Sequence, residues 1–128
     1  MPEKAKIQQV PLKVYQAEDR LTVAAPMAGM EPEDLAIEIT DDGRLLLDGK
    51  VRGLLKDVKV LLLDEWSVGA YYRDYLLPEP VDGSQATATY GNGVLVVTFP
   101  LANRFVPARL TLSSNGVAHG ISDNVALP

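Results

Sequence analysis

The chain has 128 residues, one domain's worth, with 47% apolar residues and a formal net charge of −5. It holds no cysteine and one histidine, which excludes disulfide frameworks, thiolate metal sites, cysteine nucleophiles and multi-histidine centres. With 12 basic against 17 acidic residues and no basic cluster, it is a poor binder of nucleic-acid phosphates.

The segment Met1 to Lys6 is polar and lacks the apolar core of a secretory signal. The longest apolar runs, Leu45–Leu47 and Val60–Leu63, fall far short of the ~20 residues that span a bilayer. A cytoplasmic protein without a membrane span is expected. Leu12–Gln16 reads as a first strand and Glu18-Asp19 as a turn. Arg20–Ala25 reads as a second strand with Leu21, Val23 and Ala25 on one face. A loop follows, in which Pro32-Glu33-Asp34 suits one helical turn, since proline and acids favour a first turn. Leu35–Thr40 alternates cleanly and puts Leu35, Ile37 and Ile39 on one face. Asp41-Asp42-Gly43 then signals a hairpin into Arg44–Gly49.

Lys50–Glu65 fits two patterns. Leu54, Leu55, Val58, Leu61 and Leu62 share a helical face, while Val58, Val60 and Leu62 share a strand face. The segment is too apolar for a solvated loop, so it packs either on its own domain or against another subunit. Tyr71–Leu77 is a further strand, ended by Pro78-Glu79-Pro80. Gln85–Tyr90 and Val94–Phe99 form a hairpin across Gly91-Asn92-Gly93. Strands with turn signals about every eight to twelve residues indicate a β-sandwich or barrel. Beyond Pro100 the pattern breaks. Arg109–Leu112 is a short apolar element, and from Ser113 onward the chain reads as a flexible end.

No catalytic constellation is visible. His119 sits in the flexible end, without the rigid partner a general base needs. Asp41-Asp42 is turn chemistry, and Gly91-Asn92-Gly93 lacks the helix and lysine of a phosphate cradle. The spacing of Glu31, Glu33 and Asp34 matches no calcium loop. No enzyme, cofactor or metal is expected. What remains is apolar surface, which points to binding.

Four motifs, in order, resemble those of the small heat-shock proteins, which carry the α-crystallin domain. They are Gly29-Met30-Glu31-Pro32-Glu33-Asp34-Leu35, then Gly69 to Pro78 with tyrosines at the family's phenylalanine positions, then Ala86 to Leu95 containing Gly91-Asn92-Gly93-Val94-Leu95, and Arg109-Leu110-Thr111-Leu112. The resemblance covers about Pro11 to Leu112. It implies an all-β, immunoglobulin-like antiparallel β-sandwich with short flexible N- and C-terminal extensions. The divisions expected are an arm at 1–10, a sandwich at 11–101 with a dimerisation loop at 50–66, and an extension at 102–128 carrying an anchor at 110–112.

The implied function is that of an ATP-independent holdase. Such a protein binds unfolding clients through apolar surface, keeps them from aggregating, and passes them to ATP-dependent chaperones. It works as a dimer or higher oligomer of itself. The implied dimer contacts are Val58, Val60, Leu62 and Arg73. Leu110 and Leu112 are the anchor, since side chains at i and i+2 of an extended segment point the same way. Ile37, Ile39, Ala86 and Ala88 line the groove that takes anchor or client. Burying both leucines contributes about 3–6 kcal/mol before ordering costs. The groove belongs either to a neighbouring dimer, as the resemblance favours, or to the same domain. A second reading is a non-catalytic co-chaperone or scaffold on a similar sandwich, docking to one folded partner as CS-type domains do.

Overall fold

A computed structural model describes residues 8–50, 62–63 and 70–120. Ten strands run through them in chain order. They are β1 (Gln8–Gln9), β2 (Lys13–Ala17), β3 (Arg20–Pro26), β4 (Leu35–Ile39), β5 (Arg44–Gly49), β6 (Tyr71–Leu76), β7 (Thr87–Gly91), β8 (Val94–Pro100), β9 (Ala108–Thr111) and β10 (Val117–His119). They form two five-stranded sheets, ordered β1-β6-β5-β4-β9 and β10-β7-β8-β3-β2. Every pairing is antiparallel except β1 with β6. The all-β sandwich expected from the sequence is what forms.

Period-two alternation builds the core. Leu21, Val23 and Ala25 of β3 lie opposite Phe99, Val97 and Leu95 of β8, all six buried. In the other sheet, Ile37 and Ile39 of β4 lie opposite Leu47 and Leu45 of β5, again buried. These two inward rows belong to one hydrophobic cluster.

The turns follow the local chemistry. Asn92 (φ 52°) and Gly93 (φ 78°) give the two positive φ angles of a type I′ hairpin between β7 and β8. Gly43, at φ 91°, closes the β4–β5 turn, and a Cβ there would sit 2.7 Å from the Phe105 ring. Pro32–Asp34 forms the single expected helical turn, of 3-10 type, and the Glu31 backbone N–H donates to the Asp34 carboxylate at 3.2 Å.

Both long sides of the sandwich are crossed by the chain itself. On one side the N-terminal segment passes from β1, beside β6, to β2, beside β3. On the other, the C-terminal segment passes from β9, beside β4, to β10, beside β7. The expected divisions therefore need two adjustments. Val10, placed in the N-terminal arm, is fully buried. The extension expected from 102 contributes two strands, so the residues read as a flexible end, His119 among them, are paired in β10 as far as 119.

Candidate functional site

The residues expected to form the groove are all buried, in one cluster with Leu110 and Leu112. Ile37 and Ile39 point inward from β4, at the side of the sandwich where β7 faces β4. Ala88 points inward from β7, and Ala86 caps the short 3-10 turn Gly83–Gln85, both of them buried. Two alanines in place of larger side chains leave room between the sheets. Leu110 lies opposite Ile37 in the β4–β9 ladder and is 1% exposed. Leu112, just past β9, is 4% exposed and joins the same cluster. Leu110 and Leu112 thus share one cluster with Ile37, Ile39, Ala86 and Ala88 of the same chain.

The neighbouring β7 edge is closed by the same segment. Val117, Ala118 and His119 pair with Thr89, Ala88 and Thr87. Tyr90 N–H donates to Gly116 carbonyl at 2.8 Å, and Gly120 N–H donates to Ala86 carbonyl at 2.8 Å. Between β9 and β10 the chain turns tightly, with Gly116 N–H donating to Ser113 carbonyl and Ser113 N–H to Val117 carbonyl. The Ser113 hydroxyl donates to the Asn115 side chain and to Val117 carbonyl.

Sequence reasoning missed Gly83, Gly116, Gly120 and Ala118 as members of this site. Spacing held a signal: glycines at 116 and 120 bracket the alternating Val117-Ala118-His119. Its short length and its polar turn hid the strand.

The expected dimer residues fall in different places. Val58 and Val60 lie outside the described residues. Leu62 is 91% exposed. Arg73 points inward from β6, half-buried, and one of its terminal nitrogens donates to Val10 carbonyl at 2.9 Å. Its buried Nε has no hydrogen-bond partner among the described residues. The structure does not bring Arg73 together with the groove residues.

The outer face of the β6-β5-β4-β9 sheet carries a shallow depression with a largely apolar floor. Ala36, Leu46 and Tyr72 line it with Thr111 and the charged Glu38, Asp48 and Arg109. Nearby, the Arg44 guanidinium pairs with Asp74 at 3.0 Å, and the hydrogen bond to Asp74 holds its pKa above the ordinary value. Both side chains are well exposed, so the pair adds little to stability. Tyr90 donates its phenol proton to Met27 carbonyl at 2.6 Å, and burial pushes its pKa up. Among the described residues no group of histidine, cysteine, aspartate and glutamate side chains is placed to hold a metal, and no helix is long and apolar enough to cross a membrane.

Residues 13–109 match the Hsp20/alpha crystallin family. A probable 15 kDa heat shock protein of Leptospira interrogans is 30% identical over 99 residues, covering 77% of this chain and 74% of the relative. Spore protein SP21 of Stigmatella aurantiaca is 30% identical over 105 residues, covering 81% of this chain and 62% of the relative. Heat shock protein 16.0 from Schizosaccharomyces pombe has the same fold, with a TM-score of 0.65 at 24% identity over 76% of this chain and 69% of that one. The chain belongs to the Hsp20/alpha crystallin family, whose members are ATP-independent chaperones and not enzymes.

Proposed function

We propose that the protein is a holdase of the cytoplasm, binding unfolding clients through apolar surface and keeping them from aggregating until ATP-dependent chaperones take them. Family membership supports the class of activity. The observation that carries the mechanism is the exposed apolar surface outside the closed core. It comprises the depression around Ala36, Leu46 and Tyr72, and the exposed leucines Leu62 and Leu63. A monomeric fold gains nothing from such surface, whereas an unfolded chain offers side chains to cover it.

In this reading the protein works as a dimer. Strand β2 ends its sheet, and an outermost strand presents unpaired backbone groups that a partner's strand satisfies. The partner's 50–66 segment, with Val58, Val60 and Leu62, is the strand proposed to pair there. Arg73, with its unsatisfied Nε, is proposed to face that dimer contact.

The test is light scattering of a heat-labile client, with and without this protein and without ATP. Suppression at near-stoichiometric ratios is the expected result. No suppression would reject the holdase and favour the second reading, a co-chaperone or scaffold that docks to one folded partner.

A further inference from the structure

In the ladders described above, the tail occupies both sheet edges on its side of the sandwich. Three further observations bear on whether that arrangement is built in. First, the connection leading to the tail is tied down. Leu101 N–H donates to Asp19 carbonyl, Ala102 N–H to Pro80 carbonyl, and Val106 N–H to Val81 carbonyl, at 2.7–3.0 Å. Phe105 packs over Gly43 in the same stretch. A tether held at several points has little freedom to carry β9 to another molecule.

Second, backbone meets backbone at distances that only glycine permits. A Cβ on Gly83 would lie 2.6 Å from Val106 carbonyl oxygen. One on Gly116 would lie 2.4 Å from Tyr90 carbonyl oxygen, and one on Gly120 1.9 Å from Gly83 carbonyl oxygen. The domain and its own tail each supply glycine where the two meet.

Third, burial is continuous. Ala108, Leu110, Leu112 and Ala118 are all buried, and the last three share one cluster with Ile37, Ile39, Ala86 and Ala88.

We infer that residues 108–119 are an intramolecular seal. They fill the β4 and β7 edges of their own chain and take those edges out of use as a seat for a neighbour's tail. Growth of any assembly is then left to the β2 side and the outer faces. The inference concerns the fold and stands whether or not the holdase reading holds.

The chain contains no cysteine, so introduced thiols are the only ones present. Ala36 lies opposite Thr111, and Thr89 opposite Val117, all four exposed on outer faces. Two full-length variants test one edge each: Ala36→Cys with Thr111→Cys, and Thr89→Cys with Val117→Cys. On mild oxidation the expected product is a cross-link within one chain, seen as monomer mass on a non-reducing denaturing gel with loss of free thiol. Mixtures of the matching single-cysteine variants are expected to give no Thr111–Ala36 or Val117–Thr89 covalent dimer. Light scattering of the locked chains should give the wild-type molar mass. Covalent dimers or ladders, dimers from the mixed single variants, or thiols that stay free would each overturn the seal. So would a molar mass that falls on locking and returns with reductant, because that tail would need to be free to join copies.

Discussion

Ile37 and Leu110 stand opposite each other across the β4–β9 ladder, each about as buried as a residue at the centre of a core. Strand β9, at the edge of its sheet, thus buries the first anchor leucine in the core. Leu110→Ala is expected to destabilise the isolated chain by about 2–5 kcal/mol, the usual cost of truncating a fully buried leucine. Urea unfolding at low protein concentration measures it. A loss that appears only at high concentration, where assemblies form, would place the leucine between molecules instead.

Gly116 and Gly91 form a matched pair of probes. Gly116 has a φ of 81° and no room for a Cβ, while Gly91 has open space around it and no positive φ. Gly116→Ala is expected to cost about 1–3 kcal/mol through backbone strain and the clash with Tyr90 carbonyl. Gly91→Ala should stay within about 0.5 kcal/mol. Thermal melts of the two variants side by side decide it, and equal midpoints would mean the β10 seat is loose.

Tyr90 supplies a pH signature. Burial disfavours its phenolate, so its folded pKa lies above the ordinary 10.0 that the unfolded chain retains. A group raised in this way contributes stability that is complete below the unfolded value. The contribution is lost as pH rises through the folded value. Wild type should therefore lose stability above pH 10.0 more steeply than Tyr90→Phe, which has no proton to release there. Parallel alkaline limbs in the two unfolding profiles would contradict the burial.

Tyr72 tests the outer depression without touching the core. It is exposed and faces away from the neighbouring sheet. Tyr72→Glu should leave the melting temperature within about 2 °C, as expected for a surface change of under about 0.5 kcal/mol. It should also raise several-fold the amount of protein needed to suppress client aggregation, because the largest exposed apolar side chain of the depression is replaced by a charge. Unchanged suppression would move client binding elsewhere.

Much of the sandwich is legible in the sequence because its signals are local. The Asp41-Asp42-Gly43 and Asn92-Gly93 turns, the Pro32–Asp34 helical turn and the alternation in β3, β4 and β8 each depend on neighbouring residues. The groove residues Ile37, Ile39, Ala86 and Ala88 lie where alternation places them, facing inward. What stayed hidden depends on contacts distant in sequence. Gln8–Gln9 and Val117–His119 are too short to show a period, and their strand character comes from the β6 and β7 edges beside them. Gln85 was expected in a strand and lies in a 3-10 turn, held where Ser84 N–H meets the Asp82 carboxylate. Leu110 and Leu112 announce a paired apolar anchor, but no residue in the anchor says which chain owns the groove. The proposed answer rests on the tether at 101–107, whose hydrogen bonds run to residues distant in sequence. Lys50–Glu65 fits both helix and strand patterns, and all of it but Lys50, Leu62 and Leu63 lies outside the described residues.

The late position of β9 and β10 has a consequence for biosynthesis. Residues 108–119 emerge from the ribosome well after β4 and β7, the strands they cover. Until then a nascent chain carries two open strand edges and a row of unburied aliphatic side chains, the usual ingredients of intermolecular β-pairing. Pairing β4 with β9 also joins segments far apart in sequence, which slows folding. A member of a chaperone family thus passes through a stage in its own synthesis when it is itself open to aggregation.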